Sequence, residues 1–179
     1  MFKIFIGILV VAFIAVVAFL VIDPNVNPFQ TAGNITETTS DKVFTITIEG
    51  EVKKTGTYVL SDNATMGDLI TAASGETSNT DDLAYFETAS LKSGMTYYIA
   101  PKYDTSDICN DVPITKVNIN KASQESLMSV NGFTASVANS IVSFRVSNGQ
   151  FMTIEDLLDV YGIGSATYKK VRNYVTLHE

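Results

Sequence analysis

The sequence contains only one cysteine, Cys109, and one histidine, His178. A disulfide framework needs pairs of cysteines, and a zinc-type site needs a cluster of cysteine and histidine ligands, so this chain forms neither by itself. These two residues also supply no obvious Cys–His nucleophile pair. In an oxidising compartment an odd cysteine can pair with another chain, but we favour an unpaired thiol in a linker. We expect neither a metal nor a cofactor.

Positive charge is also scarce. The chain has 12 lysines and arginines against 19 aspartates and glutamates, a net charge of −7. The acidic excess belongs to residues 24–115, which carry 5 basic and 13 acidic side chains, whereas residues 116–179 carry 6 basic and 5 acidic ones. A surface that attracts phosphate is therefore expected only in the second region, as a separate module.

The first segment is an apolar run without a charge, Ile4–Ile22. As a helix it would span about 28 Å, close to the ~30 Å hydrocarbon core of a bilayer. A cleaved signal peptide has a shorter apolar region, roughly 7–15 residues, followed by a small-x-small site, and a buried core helix is the other alternative. We predict a transmembrane anchor over residues 1–23, with Lys3 and the N-terminus in the cytoplasm and the following domains outside.

Two polar stretches divide the remainder of the chain. Residues 24–42 are rich in proline, asparagine and threonine and have no sustained apolar period, which is typical of a flexible tether. Residues 103–115 are acidic and end near a proline. We therefore predict one domain at 43–102 and another at 116–179.

The first of these segments has the pattern of a small α+β domain. Alternating apolar and polar residues in 43–52 predict a half-buried strand, and the turn sequence KKTG leads into a second strand. Helical spacing of apolar residues in 63–75 predicts one helix. An apolar strand within 90–102 completes a β-grasp-like order.

The stretches EGEVKKTGTYVL, MGDLITAASG and LKSGMTYYIAP resemble the SLBB family over about residues 43–102. This resemblance implies contacts with a soluble ligand or a polysaccharide, or self-association, and we expect an oligomerisation domain. Asp81 and Asp82 could together hold a metal, but we favour a solvated loop.

The second segment contains an internal repeat, in which residues 123–144 align with 153–174 at an offset of 30 without a gap. A repeat of this kind indicates one structural unit used twice. The matched pairs include Leu127 with Leu157, Val130 with Val160, Gly132 with Gly162, Ile141 with Val171 and Phe144 with Tyr174.

Each copy predicts a short helix, a tight turn and a longer helix. Ser123 and Thr153 are natural N-caps, and Asp156 occupies the capping-box position of the second copy. The apolar face of the longer helix is predicted to comprise Val137, Ile141 and Phe144 in the first copy and Thr167, Val171 and Tyr174 in the second. One copy is too small to bury such a face, so we expect an all-α domain in which the two copies pack together.

The turn of the second copy, GIG at 162–164, suits an anion. Glycine permits positive φ and a close approach of the backbone. The amides that follow are the free donors of a helix N-terminus, and the helix dipole favours negative charge there. Lys169, Lys170 and Arg172 follow within two helical turns and could reach neighbouring phosphates. The alternative is a plain tight turn beside solvated cations, and the second copy at fixed spacing favours the anion site.

The motifs NINKAS, NGQF and DLLDVYGIG resemble those of the tandem helix-hairpin-helix domain of ComEA-type competence proteins, over about residues 116–177. An N-terminal anchor followed by an SLBB-like domain is also a layout of that family. The resemblance implies binding of double-stranded DNA without sequence preference at the cell surface, during natural transformation. The hairpins would hold phosphates of the two strands across a minor groove.

The DNA-binding residues that this resemblance implies are Gly132, Phe133, Thr134 and Ser136 in the first hairpin, and Gly162, Ile163, Gly164, Ser165, Thr167, Lys169, Lys170 and Arg172 in the second. Thr134 stands where the family has a second glycine, and Val137 and Ala166 stand where it usually has lysines. We therefore expect the first hairpin to be the weaker phosphate site. Low affinity per molecule would be compensated by avidity in an oligomer.

These observations predict a membrane-anchored, non-enzymatic receptor that binds duplex DNA for uptake, because helix-hairpin-helix segments accompany catalysis only beside a catalytic domain. Expected partners besides DNA are the cell membrane, further copies of the chain, the DNA-uptake channel and the competence pilus. The alternative is a surface interaction module, in which the hairpins pack against protein or the middle domain binds a wall polysaccharide. The near-neutral charge of residues 116–179 favours that alternative.

Overall fold

The computed structural model describes residues 42–104 and 113–179. The predicted anchor at 1–23, nearly all of the first linker and Cys109 lie outside the described residues. Within those two ranges, no helix is long and apolar enough to cross a membrane. The described residues belong to one compact unit.

The first part of this unit is a three-stranded sheet. Strands β1 (Val43–Gly50), β2 (Gly56–Ser61) and β3 (Thr96–Ile99) stand in the order β2-β1-β3. β1 and β2 are antiparallel neighbours, whereas β1 and β3 run parallel. The predicted strand hairpin and return strand are therefore confirmed.

Helix α1 (Met66–Ala72) lies between β2 and β3. It begins with a capping box, in which the Asp68 carboxylate accepts from the Thr65 N–H at 2.8 Å and the Asp68 N–H donates to the Thr65 hydroxyl at 3.4 Å. The helix ends shortly before Gly75, which has a φ of +89°. The buried core of this part comprises Ile46, Ile48, Met66, Leu69, Ile70, Tyr97 and Ile99.

Residues 116–179 form the helices that the repeat predicts. The first copy gives α2 (Gln124–Met128) and α3 (Ala135–Asn148). The second gives a 3-10 helix (Ile154–Asp159) and α4 (Ser165–Val171). Both copies contribute to one core, whose fully buried members include Leu127, Ile141, Phe151, Leu157 and Val171.

Two short strands, which the sequence did not predict, close this helical segment. β4 (Val117–Asn118) pairs in parallel with β5 (Val175–Thr176). The Asn120 side chain reinforces the closure, because its amide nitrogen donates to the carbonyls of Phe151 and Leu177 at 2.9 and 3.0 Å. Its amide oxygen accepts from the Phe151 N–H at 2.7 Å.

The second copy departs from its predicted apolar face. Helix α4 ends at Val171, so Tyr174 lies outside it and is 43% exposed, and Thr167 is only half-buried. Val171 is buried as predicted, and the other buried side chain of α4 is Tyr168, whose hydroxyl donates to the carboxylate of Glu155 at 2.7 Å. That bond draws the phenol inwards, and the pairing of β5 with β4 makes the chain extended after the helix ends.

The sheet segment (residues 42–104) and the helical segment (residues 116–179) pack against each other within the unit. The buried carboxylate of Glu155 accepts a hydrogen bond from the Tyr98 N–H of β3 at 2.8 Å. The Arg172 guanidinium stacks over the Tyr98 ring, 3.5 Å from its centroid. The two segments therefore share a specific polar interface.

A second group of contacts also joins the two segments. Lys116 and Asp81 form an ion pair in which both side chains are less than a tenth exposed. The His178 ring stacks on Phe86 with centroids 4.7 Å apart, and the Leu177 N–H donates to the Leu83 carbonyl at 2.8 Å. Residues beyond helix α4 are thus bound to the middle of the chain.

Candidate nucleic-acid interface

The two predicted hairpins share one backbone geometry. Gly132 and Gly162 both have positive φ, +132° and +91°. The residues that follow them, Phe133 and Ile163, are buried, and their N–H groups donate to the carbonyl three residues earlier at 3.0 and 3.1 Å. The side chains of Phe133 and Ile163 therefore belong to the core, and their main-chain N–H groups are already bonded within the hairpin.

Each hairpin glycine faces the longer helix of the other copy. A Cβ atom at Gly132 would lie 2.8 Å from a methyl carbon of Val171, and one at Gly162 would lie 3.3 Å from a methyl carbon of Val137. Glycine is required at Gly132 by both its φ and this close approach. The reciprocal packing fixes the position of each hairpin relative to the other.

The two hairpins differ at the N-cap of the helix that follows. Thr134 caps α3, and its hydroxyl oxygen accepts from the Val137 N–H at 3.3 Å. Gly164 caps α4 and has no side chain to accept from the corresponding donors. A Cβ at Gly164 would meet no atom within 4 Å, so the space before this helix is open. The first amides of α4 are thus available to an external acceptor, whereas one in α3 is already occupied.

The polar side chains of the predicted site lie mostly at the surface. Ser136, Ser165, Lys169 and Lys170 are exposed. The stem of Lys170 passes beside the first hairpin, since its Cδ is 3.5 Å from where a Cβ of Gly132 would be. This lysine of the second copy therefore lies next to the hairpin of the first, a placement that the linear sequence does not reveal.

Arg172 does not join the lysines. Its guanidinium lies on the ring of Tyr98, and its Nε is buried. Guanidinium–aromatic stacking of this kind stabilises packing between elements. This position argues against the prediction that Arg172 contacts a phosphate.

A lysine of the sheet segment forms ion pairs with two acids close to the second hairpin and balances their charge in part. Lys92 Nζ lies 3.3 Å from an Asp156 oxygen and 3.0 Å from an Asp159 oxygen. Its hydrogen bond to Asp159 and the charges of both acids raise the pKa of Lys92, against the effect of partial burial. The negative charge just before Gly162 is thereby reduced, which favours the approach of a phosphate. Sequence reasoning missed Lys92, because it is distant along the chain.

Glu155 is a buried acid of the second copy. Burial raises its pKa to about 7, although the Tyr168 hydroxyl and the Tyr98 N–H favour the ionised form. Burial and the neighbouring Glu155 also raise the pKa of Tyr168. Glu155 is therefore part of the interface between the two segments rather than of a surface for DNA.

The adjacent acids Asp81 and Asp82 have lysine partners. Asp81 is buried against Lys116, which corrects the expectation of a solvated loop, and Asp82 lies 3.2 Å from Lys102. The hydrogen bond from Lys102 lowers the pKa of Asp82. Across the described ranges, no group of three or more histidine, cysteine or acidic side chains is arranged to hold a metal ion.

The repeated hairpins coincide with a known motif. Residues 112–176 match the family described as helix-hairpin-helix motif, which defines the class of this segment. The chain is also similar to ComE operon protein 1 of Bacillus subtilis (strain 168), with 28% identity over 147 residues that cover 77% of this chain and 72% of that protein. These findings confirm the resemblance to ComEA-type competence proteins.

Other relatives match only about a third of the chain. Endonuclease/exonuclease/phosphatase family domain-containing protein 1 of Homo sapiens is 45% identical over 65 residues, which cover 36% of this chain and 11% of that protein. An uncharacterized protein of Haemophilus influenzae is 41% identical over 61 residues, covering 34% of this chain and 54% of its own length. Such local matches transfer no enzymatic activity to this chain.

Proposed function

We propose that this protein binds double-stranded DNA through its phosphate backbone, mainly at the second hairpin. The observation that carries the proposal is the open N-cap at Gly164, where the first amides of α4 have no side-chain acceptor. Main-chain N–H groups and a helix dipole are suited to a phosphate oxygen. The first hairpin, whose Thr134 hydroxyl already holds one amide, is the weaker of the two sites.

Binding of this kind carries no sequence information, because phosphates are the same at every base pair. The two hairpins are fixed to each other by the contacts of Gly132 and Gly162 with the opposite helices. We propose that they hold phosphates of the two strands across a minor groove, with Lys169 and Lys170 as the cations that add attraction.

Affinity per molecule should be modest. The helical segment carries 6 basic against 5 acidic residues, and Arg172 is engaged with Tyr98. We therefore propose that several copies act together through the SLBB-like segment, so that avidity supplies the remaining affinity. The acidic charge of residues 24–115 would keep the rest of each copy away from DNA.

The uptake role and the membrane location extend the same proposal. The apolar run Ile4–Ile22 has the length of a membrane span, which supports a single-pass anchor with the described residues on the extracytoplasmic side. A receptor so placed would deliver duplex DNA to an uptake channel and contact the competence pilus during natural transformation.

The difference between the two caps gives the sharpest test. In Gly164→Thr, a hydroxyl like that of Thr134 would occupy an amide of α4, so affinity for a labelled DNA duplex should fall. In Thr134→Gly, an amide of α3 becomes free and affinity should rise. Threonine and glycine are similar N-caps, so neither change should unfold the helices.

Circular dichroism serves as the control for folding, and duplexes of unrelated sequence as the control for specificity. Both substitutions should act equally on all duplexes. Unchanged affinity in both variants would mean that the hairpins are only turns, and the protein-interaction alternative would then be preferred.

A further inference from the structure

Apolar side chains are exposed close to both hairpins along the sequence. Tyr161, which directly precedes Gly162, is 87% exposed, and Leu158 in the preceding 3-10 helix is 37% exposed. In the first copy, Met128 at the end of α2 is 46% exposed. The exposed part of these side chains adds nothing to the apolar burial that stabilises the fold.

Two of these exposures are repeated. Met128 and Leu158 are equivalent at the offset of 30, and each lies two residues before a buried valine, Val130 or Val160. The repeat therefore buries the valine and presents an apolar side chain outwards in both copies. A single exposed apolar residue needs no explanation, but a repeated one beside each hairpin indicates a surface with a use.

The third exposed side chain distinguishes the copies. The residue equivalent to Tyr161 in the first copy is Asn131, a polar side chain. The aromatic ring thus stands only at the hairpin whose N-cap, Gly164, is open. The open amides and the ring occupy one loop.

The chemistry of the duplex indicates what the ring meets. Beside each phosphate that a hairpin holds, the minor groove presents the apolar faces of deoxyribose and the base edges. Proteins that bind this groove use apolar side chains against these surfaces. Tyrosine offers a large rigid apolar area at a low cost in conformational entropy.

We infer that Tyr161 is a DNA-contacting residue, whose ring packs against the sugar and base edges of the minor groove next to the phosphate held by the second hairpin. The inference rests on the proposed function. The phosphate contact of the hairpin depends on salt, whereas the apolar contact of the Tyr161 ring does not.

Affinity of the full chain for a labelled duplex tests the role of the ring. Tyr161→Ala should bind about five- to tenfold more weakly, with the same slope of log affinity on log salt, because no phosphate contact is lost. Tyr161→Phe should bind like the wild type. If Tyr161→Phe loses as much as Tyr161→Ala, the contact is made by the hydroxyl and the inference is overturned.

A spectroscopic test uses the absence of tryptophan from the chain. Tyr161→Trp would place the single tryptophan of the chain at the hairpin, and Tyr103→Trp would place a matched one in the other segment, at a tyrosine that is 40% exposed. With saturating duplex, emission at position 161 should shift and become protected from acrylamide, while emission at position 103 should not change.

The outcomes of these experiments distinguish failure of the Tyr161 inference from failure of the proposed DNA-binding function. If the wild type binds duplex and position 161 shows neither a loss in Tyr161→Ala nor an emission change, the ring contact is refuted while phosphate binding stands. If the wild type does not bind duplex, the proposed function itself fails.

Discussion

The carboxylate of Glu155 and the main-chain N–H of Tyr98 lie 2.8 Å apart, and this hydrogen bond joins the second helix-hairpin-helix copy to strand β3. The same carboxylate accepts from the Tyr168 hydroxyl at 2.7 Å. One buried acid thus organises both the interior of the helical segment and its contact with the sheet. A buried polar group with two donors favours one docking orientation over others that would leave it unpaired.

The position of Glu155 predicts that stability depends on pH. Its pKa is raised to about 7 from 4.5, so between these values the folded protein keeps a proton that the unfolded chain has lost. The free energy of unfolding should therefore fall as pH rises through this window, by about 3 kcal/mol in total, and stay low above it. Urea midpoints of the wild type and Glu155→Gln between pH 5 and 8 test this: the variant should vary less, and equal variation would contradict it.

The close approach of Gly132 to Val171 predicts that position 132 does not tolerate a side chain. Gly132→Ala combines a φ of +132° with a Cβ that would lie 2.8 Å from Val171, so unfolding free energy should fall by about 1–3 kcal/mol. Gly164→Thr is the matched control, because its φ of −96° and open surroundings accept a side chain. Thermal unfolding compares the two, and equal stability would mean that the Gly132 contact can relax.

Lys169 and Lys170 predict that the affinity for DNA depends on salt concentration. Neutralising about three phosphates gives a log–log slope near −2.7, which is roughly fortyfold weaker binding at ~200 mM than at ~50 mM salt. Lys169→Ala and Lys170→Ala should each reduce the slope by about 0.9. Arg172→Ala should leave the slope unchanged and lower stability instead, because Arg172 lies on Tyr98. Fluorescence titrations at several salt concentrations decide, and a reduced slope in Arg172→Ala would return that residue to the DNA site.

The buried ion pair of Lys116 and Asp81 gives a fourth prediction. Burial lowers the pKa of Lys116 and its bond to Asp81 opposes that change. Lys116→Met leaves the Asp81 carboxylate buried without its partner, so unfolding free energy should fall by about 3–5 kcal/mol. The double variant Lys116→Met/Asp81→Asn should recover part of this loss in denaturant titrations. No recovery would show that the loss comes from packing rather than from the unpaired charge.

Periodic patterns in the sequence predicted the individual elements well. The alternation around Ile46 and Ile48 gave β1, and the repeat gave equivalent buried residues such as Leu127 and Leu157. Periodicity reports which face of a segment is apolar, and these faces are buried as expected. Thr167 and Tyr174 were placed wrongly, because the hydrogen bond from Tyr168 to a distant acid decides which residues of α4 face inwards.

Contacts between distant segments could not be predicted in the same way. Glu155, Arg172 and Lys116 are charged residues whose partners lie on the sheet segment. Charged side chains are ordinarily at the surface, so nothing in the sequence marks these three as buried or stacked. The apolar exposure of Tyr161 was missed for the converse reason, since an aromatic residue is expected in a core.

The parallel pairing of β4 with β5 has a consequence for folding during synthesis. β4 leaves the ribosome before either repeat, and its partner Val175–Thr176 is made only after both. Until then, the apolar face of α3 lacks Val171 and Val175 as neighbours in the core. Closing so long a loop is an entropic step that must follow translation of β5. Until β5 is made, the nascent helical segment therefore keeps apolar surface exposed, a state that is prone to association.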